Sequence, residues 1–158
     1  MMNSLGNQLV RNRRAPVSAL PPGFELRVSP DYETGSALAA GFLASALKGK
    51  ADLLCCAAAG NSPERAYDLF ARSVLADGVS PANLRILKLD EWGGLAMNDP
   101  ASCETQIQAL LIQPLKISAE RFISFQSDAP SPEEECGRVG AWLRDHGPVD
   151  VCVLGPSG

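Results

Sequence analysis

Short apolar segments alternate with longer helix-like segments along most of the chain, and this order constrains the fold more than any other feature. Residues 52–58 form a nearly continuous apolar run, which is typical of a parallel strand covered on both faces. Residues 63–76 repeat apolar side chains every three or four positions, as an amphipathic helix does, whereas residues 83–89 alternate as a strand does. We therefore predict a Rossmann-like three-layer α/β fold, an open and mainly parallel sheet with helices on both faces.

The same patterns predict one domain over residues 24–158. Ser29, Pro30 and Asp31 are typical of a helix start, so the first long helix is expected over residues 32–48. Further strands are expected over residues 24–28, 121–125 and 149–154, and further helices over residues 103–111 and 132–146. Residues 1–23 contain no acidic residue but three arginines and three prolines, and we expect them to form a flexible N-terminal tail.

Charge and cysteine content exclude several classes of protein. A net charge of -4 gives no basic footprint for nucleic acid, and no uncharged apolar run reaches the roughly 18 residues that a membrane-spanning helix needs. We therefore predict neither a nucleic-acid partner nor a membrane partner. The five cysteines are odd in number and form no Cys-x-x-Cys pair, which indicates reduced thiols and no metal site. Cys55 and Cys56 are expected inside a buried strand, and the cytoplasm is the expected compartment.

Three polar or glycine-containing loops follow predicted strands, at residues 59–63, 90–94 and 155–158. The carboxyl ends of parallel strands share one edge of a sheet, so we expect these loops to meet in one crevice. In the first loop, Gly60, Asn61 and Ser62 precede a helix that Pro63 helps to start, and they could cradle a phosphate group. The same turn could equally be a tight connection with no ligand.

The second loop begins with an acidic pair, Asp90 and Glu91. Asp90 is placed to act as a general base on a bound ligand, although a loop carboxylate that caps a backbone N–H group would look the same in the sequence. Trp92 is expected to line the wall of the pocket or the core. The single histidine, His146, is expected to have a structural role at the C-terminus of a helix, where a cation is favourable.

Together these residues resemble the glucosamine-6-phosphate deaminase family, and most closely its galactosamine-6-phosphate isomerase/deaminase branch. The most specific part is Leu-Asp-Glu-Trp at residues 89–92 with the Pro-x-Ser that follows at residues 100–102. The other matching segments are Gly-Leu at 94–95, Cys-Glu-Thr at 103–105, Gln-Pro-Leu at 113–115, Phe-Ile-Ser-Phe at 122–125 and Asp-Val-Cys-Val-Leu-Gly at 150–155.

The resemblance implies a fold similar to those of ribose-5-phosphate isomerase and 6-phosphogluconolactonase. It also implies conversion of an amino-sugar 6-phosphate into a ketose 6-phosphate with release of ammonia, without a cofactor. By position, Asp90 resembles the carboxylate that moves a proton between C1 and C2 of the sugar. Gly60, Asn61 and Ser62 resemble the turn that binds the phosphate group. Because the family often forms oligomers, a homo-oligomer is a possible assembly.

The chain departs from the family pattern in two places. The phosphate turn has one hydroxyl fewer than the family's Thr-Gly-Ser/Gly-Thr-Pro. The family's ring-opening His, its supporting Glu and its distal basic phosphate ligands have no counterpart within the 158 residues, so we expect a C-terminally incomplete sheet and doubtful turnover by this chain alone. The alternatives are a 6-phosphogluconolactonase-like hydrolase and a non-catalytic protein that binds sugar phosphates.

Overall fold

The computed structural model describes residues 23–155 and contains four short strands and five α-helices within that range. The strands are β1 (Leu54–Ala57), β2 (Arg85–Lys88), β3 (Phe122–Ile123) and β4 (Val151–Val153). The helices are α1 (Tyr32–Gly49), α2 (Asn61–Ala76), α3 (Cys103–Ile107), α4 (Gln113–Leu115) and α5 (Pro132–His146). A π-helical turn (Gln108–Ile112) joins α3 to α4, and a 3-10 turn (Ala119–Arg121) precedes β3.

The four strands form one sheet in the order β3-β2-β1-β4, and every neighbouring pair is parallel. Ala57 of β1 is in register with Lys88 of β2 and with Val153 of β4. The chain therefore leaves β1 on one side to form β2 and β3, and returns on the other side to form β4. In such sheets ligands bind outside the carboxyl ends of the strands, where the order reverses.

Helices cover both faces of the sheet, which confirms the predicted three-layer α/β architecture. On one face, side chains of β1 and β2 such as Cys55 and Ile86 pack against α1, α2 and the helical segment from α3 to α4. On the other face, Cys56 and Leu87 pack against Val139 of α5. Cys55 and Cys56 are both buried, as predicted for a strand that lies between two helical layers.

Side chains at the helix N-termini explain where the predicted helices begin. Asp31 accepts a hydrogen bond from the Thr34 backbone N–H at 2.7 Å before α1, and Ser131 accepts one from Glu134 at 3.2 Å before α5. These bonds satisfy backbone donors that the first helical turn leaves free. At the other end of α5, the ring of His146 stacks on Trp142 with 4.5 Å between centroids, in keeping with its predicted structural role.

One predicted strand is wrong and the other elements differ mainly in length. Residues 24–28 alternate as a strand does but pair with no other strand, and Phe24, Leu26 and Val28 are all exposed. An alternating pattern of apolar and polar residues forms a strand only where the edge of a sheet is available for pairing. This segment instead lies beside Leu38 and Phe42 of α1. The helix predicted over 103–111 continues to Leu115 through the π-helical turn.

Two other expectations concern the ends of the chain and membranes. The tail was predicted over residues 1–23. Residues 1–22 lie outside the described residues, and only Gly23 lies within them. Between residues 23 and 155, the structure contains no helix with the length and apolar character to cross a membrane.

A buried carboxylate joins α5 to the loop that follows β3. Glu135 accepts hydrogen bonds from Arg138 at 2.6 and 2.8 Å and from the Gln126 backbone N–H at 2.7 Å. Arg138 also donates to the Ser124 carbonyl oxygen at 2.5 Å. The Arg138 hydrogen bonds lower the pKa of Glu135 from 4.5 to about 2, against the opposing effect of burial and with help from the Gln126 N–H.

The two leucines Leu47 and Leu38 of α1 test which face of this helix stabilises the fold. Leu47 is 1% exposed and Leu38 is 46% exposed. We expect Leu47→Ala to lower the free energy of unfolding by about 2–5 kcal/mol, because it leaves a cavity in the core. The matched variant Leu38→Ala should lower it by less than about 1 kcal/mol. Urea denaturation followed by circular dichroism measures both, and equal losses would contradict the assigned core.

The Glu135 contacts predict a specific dependence of stability on pH. Because the pKa of Glu135 is lower in the folded chain, its ionised form stabilises the fold above its ordinary pKa of 4.5. That contribution is lost as pH falls from 4.5 towards about 2. We expect Glu135→Gln to lower the free energy of unfolding at pH 7 by about 1–3 kcal/mol. The difference from the unsubstituted chain should shrink over this acidic range, and a difference that is constant with pH would refute the assignment.

Candidate functional site

The chain turns from β1 into α2 at Gly60, at the carboxyl edge of the sheet. Gly60 has φ 106° and ψ 174°, a backbone conformation that residues with a Cβ atom rarely adopt. Helix α2 begins at Asn61, and no side chain of the described residues caps its first turn. Asn61 and Ser62 are both exposed there. The turn therefore presents backbone donors and the Ser62 hydroxyl at the positive end of a 16-residue helix, an arrangement that attracts anions.

Side chains from two other helices hold this turn. The Tyr32 hydroxyl of α1 donates to the Asn61 carbonyl oxygen at 2.7 Å and accepts from the Arg65 backbone N–H at 3.2 Å. From α3, Gln106 Oε1 accepts from the Gly60 N–H at 2.6 Å, and Gln106 Nε2 donates to the Gly60 carbonyl oxygen at 3.1 Å. The Gly60 N–H is therefore already paired. The backbone N–H groups of Asn61 and Ser62 have no side-chain partner among the described residues.

The end of β4 lies against the same turn. A Cβ added to Gly155 would be 3.8 Å from the Cβ of Ser62. This contact brings together the first and third loops predicted to meet in the crevice. Within the third loop only Gly155 belongs to the described residues.

An open groove of about 710 Å³ extends from the turn along α2, and both of its arginine side chains are paired with carboxylates. Arg65 bonds Glu33 at 2.6 Å and Asp68 at 2.5 Å, and Arg72 bonds Asp68 at 2.7 Å. Both guanidinium groups of the groove are thus engaged by carboxylates.

Asp90 follows β2 at the same edge of the sheet and is exposed. It lines a cleft of about 340 Å³ together with Leu89, Phe125, Gln126 and Pro132. Because Ala57 and Lys88 are in register, the Asp90 loop and the Gly60 turn leave adjacent strands at the same level. The Asp90 cleft and the groove beside the turn have no lining residue in common, so the two predicted parts of the site share an edge but occupy separate cavities.

The acidic pair of the sequence divides into one exposed and one buried carboxylate. The side chain of Glu91 is 2% exposed and accepts from the Lys88 ammonium group at 2.5 Å. It also accepts from the backbone N–H groups of Trp92, Cys103 and Glu104 at 2.8–3.0 Å. Glu91 therefore anchors the N-terminus of α3 below the loop, and only Asp90 of the pair faces solvent.

Lys88 is the centre of this buried cluster. Its side chain is fully buried, and its ammonium group donates to Glu91, to Glu104 at 2.9 Å and to the Phe125 carbonyl oxygen at 3.1 Å. Glu104 also accepts from the Ser124 hydroxyl and from Gln108. Burial raises the pKa of Glu91, but the bonds from Lys88 and the backbone N–H groups outweigh burial and leave that pKa below its ordinary value.

Sequence reasoning did not single out Lys88, Glu104 or Gln106 as members of the site. A lysine at the last position of a buried strand, followed three residues later by a glutamate, is a signal that could have identified the first of them. Trp92 was expected in the pocket wall or in the core. Its side chain is 66% exposed, which excludes the core, and it is not among the residues that line the Asp90 cleft. Within the described part of the chain, no three His, Cys, Asp or Glu side chains are grouped as a metal ion would need.

The buried cluster predicts that Lys88 stabilises the fold strongly. We expect Lys88→Met to lower the free energy of unfolding at pH 7.5 by about 3–5 kcal/mol, because two buried carboxylates lose their shared cation. The matched variant Lys48→Met breaks an exposed pair with Asp77 and should cost less than about 1 kcal/mol. In Lys88→Met the pKa of Glu91 should rise, because Lys88 no longer lowers it, so the stability deficit of the variant should shrink as pH falls towards about 5. Urea denaturation at both pH values measures this, and equal losses in the two variants would contradict it.

The curated proteins that are similar to this chain are named as deaminases. No protein-family model matches the chain. Among curated proteins, the chain is 33% identical over 125 residues to the Escherichia coli protein named "Putative deaminase AgaI", covering 79% of this chain and 49% of that protein. It is 30% identical over 131 residues to glucosamine-6-phosphate deaminase from Streptomyces coelicolor, covering 83% of this chain and 50% of that protein. The chain thus spans about half the length of these relatives.

Solved structures give the same picture. A monomeric glucosamine-6-phosphate deaminase, described as a missing link of the NagB superfamily, superposes with a TM-score of 0.76 at 28% identity, covering 80% of this chain and 53% of that chain. The 6-phosphogluconolactonase from Thermotoga maritima superposes with a TM-score of 0.66 at 13% identity, covering 77% of this chain and 56% of that chain, which shows a shared fold. The predicted resemblance of this chain to the glucosamine-6-phosphate deaminase family is therefore confirmed over about four fifths of its length.

Proposed function

We propose that this chain binds an amino-sugar 6-phosphate at the carboxyl edge of its sheet and supplies part of an isomerase/deaminase site. The reaction converts galactosamine 6-phosphate or glucosamine 6-phosphate into a ketose 6-phosphate and releases ammonia. The observation that carries the proposal is that an exposed carboxylate, Asp90, and an uncapped helix N-terminus at Asn61 follow neighbouring strands in register. The names of the relatives support this substrate class.

The phosphate group is placed at the start of α2. Asn61 and Ser62 supply backbone N–H groups at the positive end of the helix, and Ser62 adds a hydroxyl. Gly60 contributes its conformation rather than its N–H group, which Gln106 already binds. The affinity of this part of the site therefore comes from oriented backbone dipoles rather than from an unpaired arginine.

The proton transfer is assigned to Asp90. In the open-chain amino sugar, the hydrogen on C2 lies next to the C1 carbonyl carbon and is therefore acidic. The Asp90 carboxylate takes this proton and returns it at C1, while one proton of the C2 amino group passes to O1. The C1 carbonyl thereby becomes a hydroxymethyl group and the C2–N bond becomes an imine. Water then adds to the imine carbon and ammonia leaves, which gives the ketose. One water molecule is consumed for each ammonia released. General acid–base assistance of this kind contributes about 10²- to 10⁴-fold to the rate.

The buried cluster supports this role because it fixes the backbone on the C-terminal side of Asp90. Glu91 is held by Lys88 and by three backbone N–H groups, so the next residue along the chain has little freedom. A rigid neighbour keeps an exposed carboxylate in one place without burying it.

A second candidate is binding of the sugar phosphate without turnover. It is favoured by the separation of the Asp90 cleft from the groove beside the Gly60 turn, which share no lining residue. The 6-phosphogluconolactonase-like hydrolase is the third candidate, and the likeness to solved lactonases supports only its fold. The three candidates differ in what they release from glucosamine 6-phosphate and from 6-phosphogluconolactone.

Replacement of the exposed carboxylate separates binding from chemistry. We expect Asp90→Asn to leave the affinity for glucosamine 6-phosphate and galactosamine 6-phosphate within about threefold, because Asp90 acts mainly in the transition state. Ammonia release should fall by about 10²- to 10⁴-fold. Calorimetry measures the first quantity and a coupled ammonia assay the second. Asp128→Asn, in the exposed loop after β3, is the matched control and should change neither.

The same assays decide between the candidates. Undiminished ammonia release in Asp90→Asn would refute the assignment of the base. Binding of the sugar phosphate with no ammonia release by the unsubstituted chain would favour the binding-only function. Hydrolysis of 6-phosphogluconolactone without ammonia release would favour the lactonase-like function.

A further inference from the structure

The side-chain amide of Gln106 bridges the two peptide groups on either side of the Gly60 Cα atom. The Gly60 N–H belongs to the peptide group shared with Ala59, and it donates to Gln106 Oε1 at 2.6 Å. The Gly60 carbonyl oxygen belongs to the peptide group shared with Asn61, and it accepts from Gln106 Nε2 at 3.1 Å. One planar side chain therefore holds both peptide groups.

This bridge fixes the two soft dihedral angles of Gly60. Peptide groups are planar, so φ and ψ of Gly60 alone decide how the two peptide groups are oriented relative to each other. Glycine has more conformational freedom than any other residue. Apart from its two chain neighbours, no described residue has an atom within 4 Å of the position that a Cβ of Gly60 would occupy. Packing around Gly60 thus does little to hold φ at 106°. Beside the first hydrogen bond of α2, the two hydrogen bonds between Gly60 and Gln106 hold it.

The bridge also sets the direction of the first donor of α2. In a trans peptide group the carbonyl oxygen and the N–H point to opposite sides. Because the Gly60 oxygen points to Gln106, the Asn61 N–H points away from α3. Gln106 therefore aims this donor before any anion arrives, and a preorganised donor binds more tightly than one that must be ordered on binding.

Helix α3, which carries Gln106, also contacts the Asp90 loop. Its first two backbone N–H groups, those of Cys103 and Glu104, are bound by the Glu91 carboxylate next to Asp90. The turn at Gly60 and the loop at Asp90 are therefore connected through one short helix. Gln106 is the point at which this helix contacts the turn.

We propose that Gln106 is a positioning residue for the phosphate group, because it holds the Gly60 peptide groups so that the start of α2 faces the anion. This inference rests on the proposed function, since it concerns the same phosphate turn. It adds a residue that touches no part of the sugar phosphate but controls how well the turn binds it.

The experiment compares the unsubstituted chain with Gln106→Leu, Gln106→Glu and the matched control Gln113→Leu, an exposed glutamine in α4. The probes are inorganic phosphate and glucosamine 6-phosphate, titrated by nuclear magnetic resonance. Hydrogen exchange of the Gly60 amide and urea denaturation are measured on each variant. We expect Gln106→Leu to weaken both probes by about five- to tenfold and to accelerate Gly60 exchange by a similar factor, whereas Gln113→Leu changes neither.

Gln106→Glu separates the two hydrogen bonds of the bridge. Its carboxylate can still accept from the Gly60 N–H, so Gly60 exchange should remain slow. It cannot donate to the Gly60 carbonyl oxygen and repels it instead, so both probes should bind at least about fivefold more weakly. A residue that only stabilised the fold would change the free energy of unfolding without this split between exchange and binding.

Each result bears on a distinct statement. If the unsubstituted chain binds both probes and Gln106→Leu and Gln106→Glu bind them equally well, the positioning role is overturned and the proposed function stands. If Gln106→Leu fails to fold, Gln106→Glu decides the same question at high ionic strength, where repulsion between its carboxylate and the anionic probes is screened. If the unsubstituted chain binds neither probe, the proposed function and the positioning role are both overturned. Unchanged Gly60 exchange in Gln106→Leu overturns the bridge itself.

Discussion

The buried ammonium group of Lys88 is the interaction on which the arrangement of the candidate site depends. It connects the end of β2 to Glu91 in the following loop, to Glu104 of α3 and to the Phe125 carbonyl oxygen after β3. A charge this deep is tolerated only when carboxylates and a carbonyl oxygen replace its water. Since those partners belong to three separate segments, their positions are coupled to one another through a single cation.

The contacts of Lys88 explain how a sheet of short strands can hold the loops at its carboxyl edge in defined positions. The four strands of the sheet have only two to four residues each, so the ladder by itself leaves much of the loop structure undetermined. The polar cluster under β2 and the Glu135–Arg138 contacts under β3 supply the missing constraints on the loops. The Gly60 turn receives its constraints from Tyr32 and Gln106 in the same way.

The sequence predicted the fold well because its periodicities are local. The apolar run at 52–58 and the amphipathic pattern at 63–76 became β1 and α2 almost as expected. The segment at 24–28 shows the limit of this reasoning, since alternation does not reveal whether a partner strand is available. The site was harder to predict, because Asp90 and Glu91 are adjacent in the sequence and only tertiary contacts with Lys88 and α3 distinguish them. Gln106 contacts a residue 46 positions away, which no local pattern indicates. The roles of Asp90, Gly60, Asn61 and Ser62 remain predictions.

The pairing of β4 with β1 has a consequence for the order in which the molecule assembles. Asp150, just before β4, accepts from the Leu54 backbone N–H at 2.8 Å, a contact that spans 96 residues. Contacts between α1, β1 and α2 close much shorter loops, and short loops close sooner because they lose less chain entropy. We therefore expect Gly155, which follows β4 and lies against Ser62, to reach its place late in folding. In that order of assembly, one wall of the crevice is added to a turn that has already formed.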